Sequence, residues 1–242
     1  MDNKLPVEVQ MQFMRPGQLE AAGRKFPVVY VPFGLIEWHG KHLPLGNDAI
    51  KAHAILVKAA EKYGGVVYPP VYFHSEFKQE HLVPVLTNLF KQLKKAGFRV
   101  IIGVSGHNIV EQIDMLNNAL EPVIAEGGLA GTGLWEMTLS KCADSDTDHA
   151  AKWETSNMMF FYPELVDMAE LGDEAIVIES VDKWGVHGLD PREHASAKVG
   201  ELNCTLCAEA IGQKAHELLA SLPEDQRDFN IEAIIPEHWW LV

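Results

Sequence analysis

The chain has 242 residues, of which 47% are hydrophobic and 22% charged, a balance typical of a globular protein. Its 34 acidic residues outnumber 20 basic residues and give a formal net charge of -14 at pH 7, which repels phosphate backbones and anionic lipid. No apolar run approaches the roughly 18 residues that a membrane-spanning helix needs. Composition and charge therefore disfavour disorder, nucleic-acid binding and membrane binding.

Three cysteines are too few and too unevenly spaced for a disulfide framework. Cys204 and Cys207 form a single C-x-x-C within a helical segment, so we expect both thiols to be buried rather than to bind zinc or act in redox chemistry. The first residues contain no apolar run of a signal peptide. These features predict a cytoplasmic protein.

Apolar, strand-like segments alternate with amphipathic helical segments along the chain. Strands are predicted over residues 26–34, 66–71, 98–104 and 131–137, an extended segment over 175–180, and helices over 49–62, 87–96, 108–126, 150–161 and 195–221. This order predicts one α/β domain over 1–242, with a parallel sheet covered by helices on both faces. Ligands bind beyond the carboxyl ends of such strands, so residues that follow strands are candidates for chemistry.

The first candidate cluster follows the first predicted strand, in the segment GLIEWHGKHLPLGND. Glu37 and His39 share one face of extended backbone, and the LPLG turn returns the chain so that Asp48 can approach them. Carboxylates together with an imidazole suit Zn²⁺ or Mn²⁺. The alternative is a polar loop whose histidines, His39 and His42, cap a helix.

Two further segments place histidines where a strand ends and a helix begins. His107 lies in the sequence SGHN, directly after the strand FRVIIGV, and His149 and Glu154 lie in DTDHAAKWETS at a spacing that brings both onto one helix face. Helix capping by His107, and an acidic helix start favoured by the helix dipole, are the alternatives. Together the three segments predict one site.

These segments resemble signatures of the creatininase-type amidohydrolase family. GLIEWHGKHLPLGNDAI is similar to the family pattern G-x-x-E-x-H-G-x-H-L-P-L-x-T-D, SGHN to the loop N-G-H-x-x-N, and DHAAKWETS to H-A-G-x-x-E-T-S. A weaker match covers GVHGLDPREHASAKVGE. The resemblance implies a three-layer α/β/α fold with a mostly parallel sheet, assembled into a homo-oligomer, often a hexamer.

The resemblance also implies a pair of divalent metal ions per chain, Zn²⁺, Mn²⁺ or Fe²⁺. Their implied ligands are Glu37, His39, Asp48 and His107, with Asp48 bridging the two ions. His149 matches a histidine with a role in proton transfer.

The fifth ligand varies within the family. Creatininases place a glutamate two residues after the loop histidine, where Ile109 stands here. Other members use the glutamate of the E-T-S motif, so Glu154 is predicted as a ligand and catalytic residue, with Glu111 as its rival.

Several positions depart from the family pattern. Ser105 replaces an asparagine, and Ile109 and Val110 replace small or polar residues. The element F-P-G-T-x-S-L, which follows a histidine, has become LVPVLT after His81, a residue that could still reach the site. These departures affect the expected substrate more than the expected metals.

The predicted function is hydrolysis of a C–N bond, other than a peptide bond, in a small-molecule amide or cyclic amide, through a hydroxide that bridges the two metals. Trp38, Trp135 and Trp153 are candidate walls of the substrate pocket. A formamide deformylase or a peptide-maturation hydrolase of the same family would use the same metals with a different pocket. A non-catalytic metal-binding member would keep the fold without turnover.

Overall fold

The computed structural model describes residues 8–74, 78–139, 148–176 and 181–230. Its strands are β1 (Val28–Leu35), β2 (Val66–Val67), β3 (Val71–Phe73), β4 (Val100–Ser105) and β5 (Ala130–Trp135). Its α-helices are α1 (Pro16–Lys25), α2 (Asn47–Tyr63), α3 (Gln79–Lys95), α4 (Val110–Ala125), α5 (Lys152–Phe161), α6 (Val181–Trp184), α7 (Pro191–His194) and α8 (Ala197–Ser221). Short 3₁₀ turns cover Met11–Phe13, Pro163–Leu165, Met168–Leu171 and Glu224–Gln226.

The strands form one sheet in the order β2–β1–β4–β5, and β3 pairs with β1 beyond the end of β2. All of these pairings are parallel. Phe33 lies opposite Ser105, and Ser105 lies opposite Trp135, so β1, β4 and β5 end at the same edge. This carboxyl edge is where the three candidate segments meet.

Alternate residues of β1 enter two separate cores because successive side chains of a strand point to opposite faces. Val28 and Tyr30 pack with α2 and α8 in the first core, and Val29 and Val31 pack with α3 and α4 in the second. Helices therefore cover both faces of the sheet. The predicted three-layer α/β/α fold is confirmed.

Two predicted elements differ in their bounds. The strand predicted over 66–71 is divided into β2 and β3, because Pro69 and Pro70 lack the N–H groups that continue a ladder. The helix predicted from Thr87 begins at Gln79 and passes through Pro84. Proline removes the donor to the Glu80 carbonyl, which lies in the solvent-exposed first turn, where water can replace that donor.

The predicted burial of the C-x-x-C pair is confirmed, because Cys204 and Cys207 are fully buried in the first core. Burial holds the pKa of the Cys204 thiol well above its ordinary value. Cys142 and most of the extended segment predicted over 175–180 lie outside the described residues. Within the described ranges, no helix is both long and apolar enough to cross a membrane.

Candidate metal centre

The candidate site forms where the amino terminus of α2 meets the ends of β1 and β4. Asp48 lies in the first turn of α2, and its backbone passes close to two glycines. A Cβ atom on Gly34 would lie 2.2 Å from the backbone nitrogen of Ala49, and one on Gly106 would lie 2.0 Å from the carbonyl oxygen of Asp48. The absence of side chains at Gly34 and Gly106 therefore lets Asp48 sit directly against the sheet edge.

Asp48 is the centre of the cluster and directs one carboxylate oxygen to each of two histidines. Its Oδ1 lies 2.9 Å from Nε2 of His39, and its Oδ2 lies 3.5 Å from Nδ1 of His107. The Leu35 backbone N–H, at the end of β1, donates to Oδ2 at 3.1 Å. The carboxylate is fully buried and its orientation is set by the strand end.

Two carboxylates complete the arrangement around these histidines. Glu37 Oε1 lies 2.9 Å from His107 Nδ1, and Glu154 Oε2 lies 3.6 Å from His39 Nε2. The LPLG turn lies as predicted, because the Glu37 N–H donates to the Leu45 carbonyl at 3.1 Å and returns the chain to α2.

The described residues contain three overlapping groups whose donor atoms lie within 4.8 Å of one another. One group is Glu37, Asp48 and His107, and a second is His39, Asp48 and Glu154; a third combines Glu37 and His39 with His149. All five predicted metal ligands are thus brought together, and Asp48 belongs to both of the groups that account for them.

The donor atoms fit a metal centre better than they fit a closed hydrogen-bond network. Glu37 Oε1, His39 Nε2 and Asp48 Oδ1 are buried, and none has a hydrogen-bond partner of good geometry among the described residues. Buried polar atoms almost always form hydrogen bonds, so three neighbouring buried atoms that meet only as ion pairs are exceptional. Carboxylate oxygens with imidazole nitrogens form the donor set that Zn²⁺ and Mn²⁺ accept.

The electrostatics of the cluster concentrate negative charge around the two histidines. Burial alone lowers the pKa of His39, but the Glu154 and Asp48 carboxylates outweigh it and raise that pKa to about 9. Burial likewise opposes protonation of His107, yet its contacts with Asp48 and Glu37 raise its pKa to about 10. In the absence of a metal, these imidazoles therefore take up protons that balance the carboxylates.

Lys51 is a site residue that sequence reasoning missed. It lies one turn after Asp48 on α2 and is fully buried. Its Nζ donates to the Gly106 carbonyl at 2.6 Å, forms a short contact with Glu154 Oε1, and lies 3.1 Å from Glu136 Oε1. The ammonium thus joins α2, α5, the loop that carries His107 and the end of β5.

Two more carboxylates, the buried Glu136 and the half-buried Asp148, belong to the same region. Glu136 directly follows β5, and burial raises its pKa to about 8. Asp148 accepts the Trp153 and Glu154 backbone N–H groups at 3.0 and 2.9 Å. The acidic helix start expected from the sequence is therefore realised by Asp148, while Glu154 faces the metal centre.

The two carboxylate oxygens of Glu154 have different partners. Oε1 contacts the Lys51 ammonium, and Oε2 accepts the Ala150 N–H at 2.6 Å while facing His39. Burial tends to raise the pKa of Glu154, but Lys51 and His39 hold it below its ordinary value. Oε2 of Glu154 is consequently the atom that can face a metal ion.

His149 lies over the cluster at its water-facing side. Its ring stacks on that of His39, with a centroid separation of 4.6 Å, and its Nε2 lies 2.8 Å from the Trp38 carbonyl. Nδ1 lies 3.9 Å from Glu37 Oε1. The backbone N–H of each of His149 and His187 donates to the carbonyl of the other at 2.8 Å, and these two hydrogen bonds fix the position of His149. His149 therefore precedes α5 rather than lying within it.

Other residues considered from the sequence lie outside the cluster. The His81 side chain is 74% exposed on α3 and contacts Glu80, so the expectation that it could reach the site is wrong. His42 bonds Thr155 Oγ1 at 2.9 Å, and burial and His39 lower its pKa to about 4. Glu111 is exposed in the first turn of α4 and belongs to none of the three donor groups.

Of the three candidate tryptophans, Trp135 and Trp153 are buried in the first core. Trp38, in contrast, is 43% exposed, and its carbonyl contacts His149 beside the cluster. Trp38 is therefore the one of the three whose position fits the wall of a pocket.

A parallel α/β sheet with nitrogen and oxygen donors gathered at its carboxyl edge is an arrangement that metal-dependent hydrolases use. Comparison with known proteins identifies the family of the chain. Residues 12–215 match the family model described as creatinine amidohydrolase. The chain belongs to the creatininase family.

Individual relatives differ in the activities for which they are named. A creatinine amidohydrolase of Pseudomonas putida is 22% identical over 78% of this chain and 89% of the relative. A mycofactocin precursor peptide peptidase of Mycolicibacterium smegmatis is 30% identical over 67% of this chain and 70% of the relative. A mutant creatininase structure of the Zn-Zn type superposes with a TM-score of 0.70 at 19% identity, covering 87% of this chain and 98% of the other.

Proposed function

We propose that this protein is a two-metal hydrolase that cleaves a C–N bond of a small amide or cyclic amide. The observation that carries the proposal is the position of Asp48, which gives one oxygen to each of two donor groups. A structural zinc site is a single closed set of four ligands, whereas a carboxylate shared by two open groups is typical of binuclear hydrolases.

Each of the two donor groups would bind one metal ion. Glu37 and His107 would hold one ion and His39 and Glu154 the other, with Asp48 shared by both. When bound, a pair of Zn²⁺ or Mn²⁺ ions supplies Lewis acidity toward the substrate carbonyl and lowers the pKa of water toward neutrality. The family relative of the Zn-Zn type supports this stoichiometry.

His149 is the residue proposed to pass a proton to the leaving nitrogen. Its Nε2 donates to the Trp38 carbonyl, which leaves Nδ1 directed toward the Glu37 carboxylate and the site. With 29% of its side chain exposed, His149 can exchange protons with water while the buried His39 cannot. A general acid at this position contributes about 10²–10⁴-fold in rate.

A second role for His149 has an observation in its favour, because its ring forms a donor group with Glu37 and His39. The variant His149→Gln separates the two roles. As a general acid, His149 is dispensable for metal binding, so the variant keeps its metal content and loses turnover. As a ligand, it is required for metal binding, and the variant loses metal and turnover together.

Peptide maturation is the alternative substrate class. The relative from Mycolicibacterium smegmatis is named a peptide peptidase and is 30% identical over 183 residues, whereas the creatinine amidohydrolase is 22% identical over 233 residues. A peptide bond and a cyclic amide both contain an amide carbonyl bonded to nitrogen, so the same metal centre could act on either substrate. The pocket beside it decides between them.

The function is tested by assaying zinc-loaded and manganese-loaded protein against creatinine, an N-formyl amine and short peptides. We expect hydrolysis of one class that is lost on chelation and restored by the metal. Fully loaded protein that hydrolyses none of the three classes would favour the non-catalytic metal-binding alternative.

A further inference from the structure

A cavity of about 310 Å³ opens directly beside the candidate metal centre. Glu37 and His107 form part of its wall, so a molecule bound there would touch the residues proposed to hold one metal ion. Its volume lies at the lower end of the roughly 300–1,000 Å³ range of ligand pockets. The cavity is large enough for one side group of a substrate and its neighbouring amide.

The remaining wall of the cavity combines an apolar part with the polar residues His74, Gln79, Glu111 and Gln112. Its apolar side chains come from β1, β3, α3 and the start of α4, and they are Leu35, Phe73, Leu82, Ile109 and Met115. Because these side chains come from four separate elements, the pocket is built by the fold rather than by one loop. Apolar surface of this kind favours a ligand group that leaves water on binding.

Ile109 distinguishes this cavity from one shaped for a polar ligand. It follows His107 by two residues, and its side chain is 41% exposed instead of packing into either core. The exposed apolar surface of Ile109 lies beside a polar centre, and a ligand bound in the cavity would remove that surface from water. Its position makes Ile109 the residue that links the metal centre to the apolar wall.

The lining of the cavity offers an anionic side group little to bind. None of the described residues that line it is a lysine or an arginine, and the exposed Glu111 lies at its wall together with Glu37. An anionic group that extends into the cavity away from the metal centre would meet Glu111 and would find no lysine or arginine to pair with.

We propose that this cavity binds an uncharged apolar side group of the substrate, next to the amide that is cleaved. The inference rests on the proposed function and deepens it by naming the substrate class. The preferred substrates are amides that carry an aliphatic or aromatic side group, rather than compact polar rings or anionic amides.

Binding of hydroxamic acids to zinc-loaded protein tests the proposal without requiring turnover. Acetohydroxamic acid supplies the metal-binding head alone, 3-phenylpropanohydroxamic acid adds an apolar tail, and succinic monohydroxamic acid adds an anionic one. Since each buried methylene strengthens binding about fourfold, the apolar tail should strengthen binding at least about tenfold. The anionic tail should give no gain.

Matched variants show whether the tail occupies this cavity. Ile109→Ala should reduce the gain from the apolar tail several-fold, with the affinity for acetohydroxamic acid unchanged. Val110→Ala is the control, because Val110 is the next residue, is 69% exposed and does not line the cavity.

The outcomes separate failure of the subsite from failure of the metal centre. Equal binding of the three compounds, or equal effects of Ile109→Ala and Val110→Ala, would overturn the proposed subsite while the metal centre stands. Zinc-loaded protein that does not bind even acetohydroxamic acid would contradict the metal centre itself, and the subsite with it.

Discussion

Lys51 stabilises the candidate metal centre as a buried cation among carboxylates. Replacement by methionine keeps the unbranched, apolar part of the side chain but leaves Glu136 and Glu154 buried without their ammonium partner. Breaking a buried pair in this way costs about 3–5 kcal/mol. We therefore expect Lys51→Met to lower the free energy of unfolding by that amount and to reduce metal occupancy, as measured by denaturant titration and elemental analysis.

The control for this prediction is Lys62→Met on the same helix. Lys62 is exposed and pairs with Glu209 at the surface, where solvent screening leaves an ion pair little effect on stability. Equal losses of stability in the two variants would show that the contacts of Lys51 do not support the site.

Glu154 and Glu111 give a second prediction at the scale of single residues. Glu154→Gln removes the charge that faces His39, so the variant should bind about one metal ion per chain instead of a pair. Glu111→Gln should retain full occupancy, because Glu111 is exposed and belongs to none of the donor groups. Elemental analysis of both variants after dialysis decides between them, and the reverse pattern would make Glu111 the fifth ligand.

Most of the cluster could be predicted from the sequence because its residues follow strands or begin helices. Glu37, His39 and His107 all follow predicted parallel strands, whose carboxyl ends share one edge of the sheet. Lys51 was missed because a lysine inside a helix is ordinarily solvated, and its signal, a spacing of three from Asp48 on a buried face, is meaningful only once Asp48 is placed. Glu136 was missed because it was assigned to the fifth strand instead of to the loop after it.

Close approach of elements at the sheet edge, rather than any one side chain, sets the position of Asp48. A methyl group on Gly106 would lie 2.0 Å from the Asp48 carbonyl oxygen, so Gly106→Ala must push α2 away from β4. Overpacking of this kind costs about 1–3 kcal/mol. We expect the variant to lose stability and metal affinity although every proposed ligand remains, as measured by thermal unfolding and zinc titration.

Gly17→Ala is the matched control, because a Cβ at Gly17 meets no atom within 4 Å. Gly17 is exposed in the first turn of α1, and alanine is a better helix former than glycine, so this control should be neutral or stabilising. Normal zinc affinity in Gly106→Ala would contradict the role assigned to the close approach.

The order of elements could be predicted from periodicity, but their ends could not. The predicted bounds of the strand over 66–71 and of the helix from Thr87 were both wrong near prolines. At a proline, the local preference of the residue and the tertiary structure around it can favour different conformations. Pro69 and Pro70 interrupt a ladder, whereas Pro84 is tolerated in a helix whose first turn faces water. Long periodic segments such as α2 and α8 were located to within two residues at each end.

Metal binding by the whole molecule should be coupled to proton release. The pKa values of His39 and His107, about 9 and about 10, lie above the ordinary 6.5, so both rings are protonated in metal-free protein near pH 7.5. A metal ion requires the unprotonated nitrogen, and each ring must then lose its proton. Metal affinity should therefore fall as pH falls from about 9 toward 6.5, and rise in the opposite direction.

Calorimetric zinc titrations at pH 7.5, in buffers with different ionisation enthalpies, measure this release. We expect close to one proton per imidazole for the pair, and the same release from His81→Gln, whose histidine is exposed on α3. Zinc binding without proton release would show that the imidazoles are neutral or do not ligate.

Metal content per chain tests the central claim, a pair of divalent ions that share Asp48, most directly. Elemental analysis of zinc-loaded protein after dialysis should give about two zinc ions per chain for the unmodified protein and fewer than about one for Asp48→Asn, with circular dichroism unchanged. A carboxylate shared by two ions would make both of them depend on one side chain. Retention of the full zinc content by Asp48→Asn, or a single ion in the unmodified protein, would contradict the account.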